Sequence, residues 1–132
     1  MEVIKVHTKK QFEFVNITQQ VKKIVADTGI AEGSCTVYCP HTTAAITINE
    51  AADPAVVQDI IKELDEIVPL RHGYAHSEGN SAAHIKSCII GASEVIPIHQ
   101  GSPVLGTWQG VFFCEFDGPR HRKAYITVSA SM

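Results

Sequence analysis

Residues 44–49 read AAITIN, with Ala44, Ile46 and Ile48 alternating with Ala45, Thr47 and Asn49. A two-residue period belongs to a strand with one buried face. The period then changes. Asp53-Pro54 offers an N-cap carboxylate followed by a proline suited to a first helical turn, and Val56, Val57, Ile60, Ile61, Leu64 and Ile67 form an apolar helical stripe. A chain that alternates between these two periods without strand–helix–strand regularity is expected to be α+β, with a mostly antiparallel sheet or sandwich and about three helices. The remaining elements fit that expectation. Segments 3–8 and 12–18 read as a strand pair around Lys9-Lys10. Thr18 is placed to cap a helix over 19–27 that Gly29 stops. Strands are expected at 34–39, 93–98, 103–107, 109–116 and 122–129, and a third helix runs from Asn80 or Ser81 to Gly91. Pro97 suits an edge strand or a bulge.

The 132 residues are enough for a single domain with its own core, 1–132, and no repeat or linker divides them. A net charge of −3 lacks the basic surplus of a nucleic-acid binder. No apolar run approaches the ~20 residues of a membrane helix, and the N-terminal MEVIKVHTKKQ has no signal-peptide pattern, so a soluble, cytoplasmic protein is expected. Cys35 and Cys39 lie four residues apart on a predicted strand, roughly 13 Å. That separation forbids a disulfide or a shared metal ion. All four cysteines, with Cys88 and Cys114, are expected to be buried thiols.

Three clusters carry candidate chemistry. The irregular stretch 68–80 leads into the third helix, and His76 and His84 bracket Gly79-Asn80-Ser81. The first N–H groups of a helix lack partners and its dipole is positive there, so this is a ready site for phosphate or carboxylate. His84, one turn in, points back toward that end and is expected to meet His76, with Glu78 close by. The second cluster is His41-Thr42-Thr43 after Pro40, with Glu50 at the end of the following strand. The third surrounds the turn Asp117-Gly118-Pro119, where Glu115, Arg120, His121, Arg122 and Lys123 form a cationic fork for phosphate or a solvated hairpin tip. Trp108 and Gln109 lie between Gly106 and Gly110, as core or as a shelf for a ligand. His7 and His99 read as structural or surface residues and His72 as a loop residue.

CPHTTAAITINE, HSEGNSAAHIKS and GTWQGVFFCEFDGPRHRK, in that order and spacing, resemble the YjbQ-like family. The resemblance covers roughly Thr18 to Val128. It implies a compact α+β fold assembled as a homotrimer with sites near subunit interfaces, and the label secondary thiamine-phosphate synthase. It also implies recurrent polar residues at His41, Thr42, Thr43, Glu50, His76, Gly79, Asn80, His84, Gln109, Glu115, Arg120 and Arg122, with His41, His76 and His84 as ligands of a divalent metal, expected to be zinc.

Three imidazoles with an open fourth position are a catalytic type of zinc site. The expected function is a metal- and phosphate-binding enzyme, and the resemblance implies that it joins a pyrimidine diphosphate to a thiazole phosphate. Thr42, Thr43, Gly79, Asn80, Ser81, Gln109, Arg120 and Arg122 would hold phosphate, and Glu50 or Glu78 would serve as base. Two rivals use the same residues: a non-catalytic module binding a phosphorylated metabolite, and a metal-dependent hydrolase of a phosphate ester or amide.

Overall fold

The computed structural model describes residues 1–132. The elements, in chain order, are β1 (Glu2–His7), β2 (Glu13–Asn16), α1 (Thr18–Thr28), β3 (Gly33–Tyr38), β4 (Ala44–Glu50), α2 (Pro54–Ile67), α3 (Ser81–Ile90), β5 (Ser93–His99), β6 (Ser102–Pro103), β7 (Gln109–Glu115) and β8 (His121–Ala130). Two antiparallel sheets result, β1-β8-β3-β5-β6 and β2-β7-β4. The α+β class with three helices is as the two periodicities require.

The alternation fixes which side chains fill the space between layers. Ile4 and Val6 of β1, Val37 of β3, Ile46 of β4, Val111 and Phe113 of β7, and Ala124 and Ile126 of β8 all join the main core with Val21 and Val25 of α1. The opposite face of the smaller sheet, through Ala45, Phe112 and Cys114, packs with Leu64 of α2 and Ala83 of α3. The chain is thus layered: large sheet, small sheet with α1, then α2 and α3.

Helix punctuation follows local chemistry. Asp53 accepts the Ala55 N–H at 2.9 Å and Pro54 opens α2. Gly29, at φ +70°, closes α1 in the left-handed conformation. Thr18 does not cap α1; it is the first helical residue, and its hydroxyl donates to Asn16 Oδ1 and accepts the Val111 N–H.

Several expectations give way to pairing between distant segments. β1 and β2 do not pair with each other: β1 lies against β8 and β2 against β7. β3 and β4 fall in different sheets, so His41 sits in a passage between layers. The strand expected at 103–107 is reduced to Ser102–Pro103. Along α2 only Leu64 is buried and Ile67 is exposed, because this helix covers one side of a narrow sheet. Cys88 is exposed on α3, while Cys35, Cys39 and Cys114 are buried free thiols.

Candidate functional site

The same alternation that builds the main core places polar residues at its end. Thr8 follows Ile4 and Val6, Glu115 follows Val111 and Phe113, and Arg122 precedes Ala124 and Ile126. All three are buried with Thr43. Arg122 donates from Nε to Glu115 Oε1 at 2.8 Å, and from Nη2 to Glu115 Oε2 at 2.5 Å and Thr43 Oγ1 at 2.7 Å. Thr8 Oγ1 donates to Glu115 Oε1 at 2.7 Å, and the Asp117 N–H reaches Oε2 at 3.0 Å. Burial alone would raise the Glu115 pKa, but the bonds from Arg122, Thr8 and Asp117 outweigh it and the net shift is downward. This corrects the expectation that Arg122 and Thr43 grip phosphate: Arg122 Nε and Nη2 and the Thr43 hydroxyl are engaged inside the fold.

Next to this plug, β3 has ended and the Lys123 N–H of β8 has no strand partner. His41 Nε2 accepts that N–H at 3.1 Å. The accepting nitrogen therefore carries no proton, which places the proton on Nδ1. Burial first, and the Arg122 charge second, lower the His41 pKa and favour the neutral ring.

His76 and His84 do meet. Their ring centroids are 5.7 Å apart and nearly perpendicular. Glu78 lies beside them, 3.8 Å from His76 Nε2, beyond hydrogen-bonding range. Asn80 precedes α3 and makes no side-chain cap. Its Nδ2 instead donates to Asp117 Oδ2 at 2.9 Å, and its Oδ1 is buried without a partner. Arg120 Nη2 donates to the same Asp117 oxygen at 3.0 Å and Nε to the Asp117 carbonyl at 2.7 Å. Asp117 therefore ties the α3 start to the β7–β8 turn. In sequence it reads only as a turn former before glycine and proline, which is why its linking role was missed. A cleft of about 340 Å³ runs beside the pair, lined by Arg71, His72, Tyr74, His76 and Gly79. A second, of about 350 Å³, lies on the other side and includes Thr42, His84 and Cys88.

The metal expectation can be weighed against these groups. An ion held by two imidazoles lies about 3.2 Å from each ring centre, so tetrahedral ligation puts the centres about 5.2 Å apart. The 5.7 Å of His76 and His84 suits that geometry, and the partnerless Asn80 Oδ1 stands at the base of the same helix. His41 does not join them, since its lone-pair nitrogen is occupied by Lys123. No three His, Cys, Asp or Glu side chains converge on one point.

Glu50 and Gln109 are cross-strand partners at the far end of the small sheet. The strand β4 separates them from Thr43 by roughly 20 Å. Glu50 Oε2 accepts the Ala52 N–H and lines a different cavity, of about 340 Å³, with Lys10, Phe12 and Asp53. Gln109 Oε1 accepts the Gly106 N–H at 2.7 Å, and Trp108 beside it is exposed. Neither Glu50 nor Gln109 belongs to the histidine site within one chain.

The model of the UPF0047 protein YjbQ-like family matches residues 2–131. The chain belongs to the UPF0047 family. Among family members, the UPF0047 protein YugU of Bacillus subtilis is 48% identical over 127 residues, covering 96% of each chain. A crystal structure of an uncharacterised YjbQ/UPF0047 protein from Clostridium acetobutylicum superposes with a TM-score of 0.96 at 47% identity, covering 98% of this chain and 100% of the other. A YjbQ-like protein of unknown function from Sulfolobus solfataricus gives a TM-score of 0.95 at 36% identity, covering 98% and 96%. The two-sheet architecture is therefore that of the family. No helix in it is long and apolar enough to cross a membrane.

Proposed function

We propose that this UPF0047 protein is a metal-assisted enzyme acting on a phosphorylated metabolite, with thiamine-phosphate synthesis as the reaction to test first. The observation that carries the reading is the His76–His84 pair at 5.7 Å, with Asn80 at the start of the same helix carrying a buried, partnerless Oδ1. In it His76 and His84 hold a divalent ion, zinc by preference, and Asn80 Oδ1 is a further oxygen donor. Such an ion polarises a phosphoryl oxygen or acidifies a bound water. The first N–H groups of α3 and the exposed Arg120 guanidinium bind the phosphate. Asp117 orients both, through its bonds to Asn80 and Arg120. Glu78, exposed and next to His76, is the carboxylate positioned to take a proton.

The placement of Glu50 at the far end of the sheet favours the rival reading of a binding module without turnover, since it removes one candidate base. Homotrimeric assembly belongs to the same proposal. Its support is the uncovered outer face of the large sheet, where Val3, Tyr38 and Val95 are exposed and Tyr38 stacks on Tyr125.

The test is elemental analysis of protein purified at neutral pH without chelators, paired with pyrophosphate binding. Stoichiometric zinc in the wild type, absent in His84→Ala, and pyrophosphate affinity lowered at least tenfold in Arg120→Ala, would support the reading. A metal-free wild type that binds pyrophosphate no better than Arg120→Ala would overturn it. Loss of thiamine-phosphate formation in Glu78→Gln with pyrophosphate affinity kept separates the enzyme from the module.

A further inference from the structure

At one end of the β1–β8 pair, the two strands bring a second pair of histidines together. His7 and His121 are directly opposed in register. Both are exposed, and their ring centroids lie 4.4 Å apart at 84°. The histidine ring nitrogens that do make hydrogen bonds in this fold are those of His41 and His99. The nitrogens of His7 and His121 are therefore uncommitted. The backbone beneath them is paired without interruption from Glu2–Ile126 to His7–His121, which fixes the separation of the two side-chain origins before any ligand arrives.

We propose that His7 and His121 form a surface chelate for a divalent transition ion of tetragonal preference, Cu²⁺ or Ni²⁺. The spacing lets both rings reach one ion, and among divalent ions imidazole pairs hold Cu²⁺ most tightly. Two imidazoles bound at a right angle to one ion have ring centres about 4.5 Å apart, against about 5.2 Å for a tetrahedral site. The observed 4.4 Å is the right-angled value. Imidazole nitrogens with no carboxylate among them select against Mg²⁺ and Ca²⁺, which require oxygen ligands.

The neighbours on the same face are Lys5 and Lys123, themselves directly opposed. Like charges placed across a strand pair are unfavourable. Together they place positive charge beside the two rings. That charge draws a small anion into the open positions of the bound ion. Lys123 is partly held back, its ammonium lying 5.7 Å from the Tyr125 ring centre.

Titration with CuCl₂, followed by electron paramagnetic resonance and calorimetry, tests the assignment. Wild type whose His76–His84 pair has first been loaded with zinc is expected to bind one further Cu²⁺ with a tetragonal signal split by two imidazole nitrogens. His7→Gln and His121→Gln should each weaken that binding at least about tenfold and remove one nitrogen from the splitting. His84→Gln should leave this signal unchanged, which separates the site from the one at α3. Both residues are exposed, and thermal melts of the variants should match the wild type. Copper binding that survives both single substitutions, or that disappears in His84→Gln, would overturn the proposal.

Discussion

Glu115 and Arg122 face each other across the β7–β8 turn as a buried bidentate ion pair, with Arg122 Nε 2.8 Å from Glu115 Oε1 and Nη2 2.5 Å from Oε2. Thr8 and Thr43 complete it from just past β1 and from the β3–β4 passage. Four segments distant in sequence thus meet at one plug between the sheets. The candidate site is built around it: His41 rests against β8 beside Arg122, and Asp117 leaves Glu115 to reach Asn80.

Removing one partner of this pair leaves the other charged and enclosed. Arg122→Met is expected to cost about 3–5 kcal/mol in urea unfolding, because Glu115 then stays buried without its cation. The double variant Arg122→Met/Glu115→Leu should recover most of that loss. A single variant within about 1 kcal/mol of wild type would show that the plug is not structural.

The Glu115 shift fixes the sign of a pH effect. Its folded pKa lies below the ordinary value of 4.5, so folding favours the ionised form. The contribution is full above the unfolded value and is lost as pH falls through the folded one. Stability measured from pH 6 down to pH 3 should fall in the wild type and fall less steeply in Glu115→Gln. Parallel acid limbs would contradict the downward shift.

Lys86 on α3 is only 2% exposed, with Nζ 3.2 Å from Asp65 Oδ1 of α2 and 4.1 Å from the Phe12 ring centre. The Asp65 side chain is 48% exposed. The two halves of this pair therefore differ in what they leave behind. Asp65→Ala strands a buried ammonium and should cost about 1–3 kcal/mol. Lys86→Met leaves a carboxylate that water can solvate and should cost under about 1.5 kcal/mol. The reverse order in thermal melts would show that Lys86 does not depend on Asp65.

The thiols divide by exposure. Burial pushes Cys39 up to about 11 and raises Cys35 and Cys114, which keeps them protonated at neutral pH. Iodoacetamide at pH 8 should modify one cysteine per native chain, and none in Cys88→Ala. More than one adduct on folded wild type would mean that the core opens readily.

Local chemistry determined much of this protein from the sequence alone. The period of AAITIN made β4 a strand with Ile46 inward, Asp53-Pro54 set the start of α2, and Gly29 stopped α1, because each depends on neighbours a few residues away. The meeting of His76 and His84 was legible for the same reason: both belong to one helix start. Tertiary structure alone decided the rest. It sent β1 to β8 and β2 to β7, moved Glu50 and Gln109 a strand's length from the histidines, and turned Arg122 inward onto Glu115. Sheet register between remote segments obeys no short-range rule, and a charged side chain at a strand end points to water or to a buried partner according to what the other sheet places opposite it.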